Sequence, residues 1–148
     1  MAQTTNGISF KANKIEISTD GVNFTDMSGF GVSLDPSGGE RGVGEEFTWD
    51  GDTPILVTGK RGALEIKAKI VYTEGIADPF RVVRAAYEAG SDLYLRWSPK
   101  GGSAGQRRYT TTAAKVVECP PPGGEAGAED VVLCEFTVKC ADLVAADI

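Results

Sequence analysis

Residues Ala63–Glu74 read ALEIKAKIVYTE, and this stretch decides the fold. Leu64, Ile66, Ala68, Ile70 and Tyr72 alternate with Glu65, Lys67, Lys69 and Val71. A period of two residues places the first set on one face of a β-strand and the second on the other, so one face is built for a core and the other is mostly polar. VVLCEFTVKC, Val131–Cys140, repeats the design, with Val132, Cys134, Phe136, Val138 and Cys140 opposed to Leu133, Glu135, Thr137 and Lys139. Long strands with one apolar and one polar face belong to antiparallel sheets packed on one side only.

Working outward, KIEIS (Lys14–Ser18) and VNFTD (Val22–Asp26) flank Thr19, Asp20 and Gly21, and Asp-Gly between alternating runs predicts a hairpin. A further strand is expected over Phe30–Leu34. Phe47 and Trp49 are expected to begin another, with a turn at Asp50–Pro54 and the strand resuming at Ile55–Thr58. LYLRW (Leu93–Trp97) and a strand pair within Tyr109–Cys119 follow. One helix stands apart: Asp78 can cap it, Pro79 suits its first turn, Phe80, Val83, Ala86 and Tyr87 share a face, and Gly90 closes it. The C-terminal ADLVAADI is too short to place. The fold class is mainly β: a single domain over residues 1–148, an antiparallel sandwich or small barrel with one flanking α-helix.

Composition excludes several functions. The chain of 148 residues contains no histidine, which removes the commonest general base and metal ligand and both Ser-His and Cys-His nucleophile pairs. No convergent carboxylate pair replaces them, so no enzyme, catalytic residue or cofactor is expected. A formal net charge of −6 disfavours a surface that grips nucleic acid through phosphates. No apolar run approaches a membrane span and the start lacks a signal peptide, so synthesis in a cytoplasm without a membrane partner is expected. Cys119, Cys134 and Cys140 are odd in number and without Cys-x-x-Cys spacing, as suits buried thiols rather than a disulfide framework. Cys134 and Cys140 on one strand stand about 20 Å apart, beyond disulfide reach.

The segment from Gly39 to Lys60, GERGVGEEFTWDGDTPILVTGK, invites a nucleotide or metal reading. A phosphate loop needs Gly five residues before its Gly-Lys and Ser or Thr after it, where Pro54 and Arg61 stand. A dinucleotide fingerprint needs glycine at Phe47, and a calcium loop needs more ligands than Asp50 and Asp52, with Glu where Arg61 sits. What remains is flexibility. Asp35, Pro36, Ser37, Gly38, Gly39, Glu40, Arg41, Gly42, Val43, Gly44 and Glu45 are almost free of apolar content and carry four glycines, so this segment is expected to be a mobile loop. It is either an ordinary surface loop or one that orders on assembly. Ser91, Asp92, Tyr94 and Trp97 lack a nearby base and are read as packing, and Arg107 and Arg108 beside Tyr109 as salt links to a neighbour.

The order of these features resembles the tail tube protein of long-tailed, siphophage-like bacteriophages. The resemblance rests on KIEISTDGVNFTDMSGFGVSLDPSGGERGVGEEFTWDGDTPILVTGKRGALEIKAKIVYTEG, Lys14–Gly75, followed by the single helix and the late strands. It implies a virion structural protein whose sandwich closes side by side into hexameric rings, stacked as a hollow tube, with an extended loop reaching the neighbouring ring. It further implies transient occupancy of the lumen by a tape-measure protein and DNA, and partners at the tail tip or baseplate and at the tail terminator. The subunit would reside in the virion tail, after assembly in the host bacterial cytoplasm. Related tubes occur in contractile tails and type VI secretion. Under this resemblance Asp35–Glu45 is the inter-ring loop, and Glu65, Lys67, Lys69, Glu135, Thr137 and Lys139 either line the lumen or face outer solvent. The alternative is a monomeric β-sandwich that recognises a protein or glycan through loops 98–107 and 120–130.

Overall fold

The computed structural model describes residues 2–148. A 3-10 turn at Phe10–Ala12 leads into β1 (Lys14–Ser18), β2 (Thr25–Asp26), β3 (Gly31–Gly38), β4 (Arg41–Glu46), β5 (Ile55–Arg61) and β6 (Leu64–Val71). The helix α1 (Pro79–Ala89) separates these from β7 (Asp92–Ser98), β8 (Arg107–Thr111), β9 (Ala114–Glu118), β10 (Leu133–Cys140) and β11 (Leu143–Asp147). All strand pairings are antiparallel. The main sheet runs β11-β8-β7-β9-β10-β6-β3, with β1 on the other side of β7 and β2 beyond it.

This path makes two layers around one core. Ile15, Ile17, Leu95 and Trp97 come from one layer and Ile66, Ile70, Phe136 and Val138 from the other, all buried in one cluster. The alternation in the two long strands is realised: Ile66, Ala68 and Ile70 on β6 and Cys134, Phe136, Val138 and Cys140 on β10 are buried. Tyr72 is only partly buried, and Val132 lies just before β10, exposed. β6 and β10 pair along their whole length, from Leu133 opposite Val71 to Cys140 opposite Leu64.

The β8–β9 segment corrects the expected strand pair. These strands do not pair with each other; β8 pairs with Arg96 and Trp97, and β9 with Asp92 and Leu93, on the same flank of β7. They are a bent strand that turns the corner between layers. The expected Asp-Gly hairpin is wider than a two-residue turn. Asp20 accepts from the Ser18 hydroxyl, the backbone N–H of Val22 and Asn23, and the Asn23 side-chain amide, and these bonds organise the loop before β2. They hold the Asp20 carboxyl far below the usual carboxylate range. The helix runs as expected from Asp78 to Gly90, with Gly90 at φ 66°. Asp78 does not cap it through its side chain, which instead accepts from the Gly75 N–H. Val83 and Ala86 are buried, while Tyr87 remains exposed.

Candidate assembly surfaces

The segment Asp35–Glu45 is not a loop but parts of two strands joined by a tight turn. Asp35 to Gly38 complete β3, pairing with Lys67, Ile66, Glu65 and Leu64, and Arg41 to Glu45 belong to β4. The glycines serve geometry. Gly38 and Gly39 turn the chain at φ 86° and 71°, and the Gly39 N–H donates to the Ala63 carbonyl. Gly59 packs against the backbone of Gly42, and Gly44 against Val57, where larger residues would spread the two strands. Local composition concealed this because strand pairing comes from a separate segment, β5, which runs in register with β4 from Glu46 opposite Ile55 to Arg41 opposite Arg61.

β4 and β5 form a separate two-stranded sheet, an arm that stands off the domain. Every residue of both strands is exposed. Phe47 and Trp49, expected to begin a strand, lie instead in the tip between them, with Trp49 fully exposed. Val43, Phe47, Ile55, Leu56 and Val57 also present apolar side chains to solvent. An isolated two-stranded hairpin is marginal in water, and a contiguous exposed apolar surface marks an interaction site. At the base of the arm Arg61 pairs with Asp142 at 3.1 Å.

The second surface is the outward face of β3, β6, β10 and β9. Direct cross-strand neighbours alternate in charge: Lys69 lies opposite Glu135, Lys67 opposite Asp35, and Glu65 opposite Lys139. Thus the structure brings together all six residues expected on this face and adds Asp35, which the sequence had assigned to a loop. Thr137 differs from the other five in being buried. Its strand has neighbours on both sides, with Lys67 opposite on β6 and Glu118 opposite on β9, next to an irregularity in register. Among the described residues, none of the six enters an ion pair.

The third surface is unpaired sheet edge. β3 pairs only with β6, and β9 has no second partner beyond Lys115 among the described residues. Pro36 sits in β3, as edge strands allow. Several other residues weighed from the sequence have partners within the chain, Asp92 pairing with Lys115. Trp97 stacks on Tyr109 with centroids 5.8 Å apart, and Arg107 pairs with Asp147 of β11 within the chain. β11 itself, in the unplaced C-terminal segment, pairs with β8 along its length. The three cysteines are buried and free, and burial pushes the Cys134 thiol up to about 11. No cluster that could hold a metal ion occurs among the described residues. No described helix is long and apolar enough to cross a membrane.

No known protein family and no curated protein matches the chain by sequence. Solved structures do match by fold. A chain of the SPP1 tail tube aligns with TM-score 0.72 at 12% identity over 96% of this chain and 80% of its own. A chain from the tail of an empty GTA particle, solved with C6 symmetry, aligns with TM-score 0.67 at 11% identity over 99% of both. A chain of the PVC sheath–tube complex of an extracellular contractile injection system aligns with TM-score 0.67 at 12% identity, over 97% of this chain and 94% of its own. The mainly β sandwich with one helix is therefore the fold of tail tube proteins, as the sequence resemblance implied.

Proposed function

We propose that this protein is a structural subunit of a phage-type tail tube, assembling as stacked hexameric rings into a hollow conduit for genome delivery. The observation that carries the reading is the end-to-end match of its fold to chains of tube and tail assemblies. The surfaces described above suit it. Rings form when the free edge of β3 in one subunit joins the free edge of β9 in the next. β3, β6, β10 and β9 alternate in direction, so this junction is antiparallel and the sheet closes into a barrel with no mismatched seam. Closure also removes the exposed edges that would otherwise template aggregation.

In this arrangement Glu65, Lys67, Lys69, Glu135 and Lys139, with Asp35, line the lumen, and Thr137 lies beneath them. Three acids face three lysines there, and a balanced wall gives DNA no net phosphate-binding surface to adhere to. The β4–β5 arm takes the inter-ring role first assigned to Asp35–Glu45, burying its apolar residues against the neighbouring ring. Tape-measure protein and DNA occupy the lumen in turn, and tail-tip or baseplate and terminator proteins close its ends. Assembly takes place in the host bacterial cytoplasm, and no catalytic activity or cofactor is involved.

The test is light scattering on the full-length chain and on a chain in which residues 42–59 are replaced by a short Gly-Ser linker. Concentration-dependent polymer from the first and a folded, non-polymerising second support the proposal. Equal polymerisation by both removes the arm from assembly. A wild-type chain that stays monomeric, alone and with tail-tip proteins, instead favours the monomeric binding module.

A further inference from the structure

A small cleft lies between the 3-10 turn, β1 and the first half of β3. It measures about 170 Å³, and its walls mix apolar Phe10, Ile15, Val32 and Leu34 with polar Lys11, Asn13, Ser28 and Ser33. That is below the roughly 300 Å³ at which small-molecule pockets begin. A space of about 150 Å³ nevertheless holds a benzene-sized ring, and walls that are part apolar and part polar suit an aromatic side chain with a polar N–H. Phe10 and Val32 stand half exposed at its rim. Lys11 is exposed and belongs to no ion pair among the described residues. Asn13 Oδ1 is shielded from solvent without a donor.

The arm tip has the complementary chemistry. Trp49 is fully exposed and flanked by Glu45, Glu46, Asp50 and Asp52. Four other clefts fit it less well, because each has at least one carboxylate in its walls, whereas this one has none. The one between β2 and α1 carries Asp26 as its charged residue, which repels an acidic tip. The one around Tyr109 holds Lys100 and Arg107, but Arg107 is already engaged by Asp147, whose carboxylate itself lines the cleft. Position also matters: the cleft lies at the Gly31 end of β3 and the arm springs from the Gly38 end, about 25 Å away along eight strand residues. Complementary patches at opposite ends of one strand make a head-to-tail contact, which propagates as a polymer instead of closing as a dimer.

We infer that Trp49 of one subunit's arm seats in the Phe10–Asn13–Val32 cleft of a second copy of this chain, with Lys11 facing the arm's carboxylates. The inference rests on the tube reading and gives its arm a specific receptor. Burial of the indole requires a partner for its N–H, and reorientation of the Asn13 amide on docking supplies one.

The chain has two tryptophans, and Trp97 is already buried, so a change in emission on assembly reports Trp49. Acrylamide quenching is measured across the assembly transition, with sedimentation on the same samples. The expected result is a severalfold loss of Trp49 quenching in the polymer. Trp49→Ala raises the concentration for half assembly about 30-fold or more, the cost of a central aromatic anchor. Lys11→Glu raises it as well, while Lys11→Arg leaves it near wild type. Both side chains are exposed in the subunit, so an unchanged monomer circular dichroism spectrum confirms that the variants fold. A polymer whose Trp49 stays open to quencher, or a Lys11→Glu chain that assembles like wild type, overturns the cleft assignment and leaves the tube reading standing. A chain that never polymerises overturns both.

Discussion

Gly38→Ala separates a geometrically required turn from a flexible loop. At Gly38 the backbone has φ +86°, and an added Cβ would stand 2.6 Å from the Ala63 carbonyl oxygen and 3.4 Å from the Glu65 nitrogen. A left-handed conformation costs a residue with a Cβ about 1–2 kcal/mol. The clash is with backbone that cannot swing aside, and relieving it breaks the Gly39–Ala63 hydrogen bond, worth about 1 kcal/mol. The total is roughly 2–3 kcal/mol. Gly90→Ala is the internal control, since its φ is +66° but nothing lies within 4 Å of the added atom. It should cost only the conformational part, about 1–2 kcal/mol. Urea unfolding of both variants, below the concentration for assembly, should show the larger fall in midpoint for Gly38→Ala at unchanged slope. If Gly38→Ala is no more destabilising than Gly90→Ala, the turn at the base of the arm relaxes freely and the geometric account of these glycines is wrong.

Three further predictions concern the other surfaces. Glu135→Cys should react with a bulky maleimide in the subunit and resist it in the tube, whereas Arg81→Cys on the helix should react in both; persistent labelling of Glu135→Cys along the tube places that face outside. The Asp20 carboxyl has a depressed pKa in the folded state, caused first by the Asn23 and Val22 N–H donors. Its stabilising contribution is present above the unfolded pKa near 4 and is lost as pH falls toward the folded value. Asp20→Ala should therefore lower the melting temperature at neutral pH and flatten its decline in acid; parallel melting curves for the two proteins would contradict this. Cys119, Cys134 and Cys140 have thiols raised chiefly by burial, so the native chain should resist thiol reagents at neutral pH and yield three reactive groups in urea. Full labelling of the native subunit would show that the β9–β10 region opens readily.

The sequence made β6, β10 and α1 legible because each contrasts apolar and charged positions at a fixed period. Those strands also revealed the polar face, since alternation along β6 and β10 places Lys67, Lys69 and Glu135 together once the strands pair. Other features depended on partners distant in sequence. β4 reads as a loop because Gly42 and Gly44 carry no strand preference, and only pairing with β5 makes them extended. Asp35 joined the charged face only through its pairing with Lys67. β11 is rich in alanine and offers little contrast, so its pairing with β8 could not be read from period alone. The bend between β8 and β9 reflects two sheets sharing β7, a fact of topology absent from local pattern. The cleft beside Lys11 unites residues around 10–15 with residues around 31–34, which no motif connects.

The most direct measurement is electron microscopy of the purified full-length chain across a concentration series, with and without tail-tip proteins. The account predicts long hollow tubes with six-fold symmetry, a regular axial repeat, and the β4–β5 arm bridging successive rings. Monodisperse single subunits at every concentration, in the presence of tail-tip proteins as well as in their absence, would contradict it.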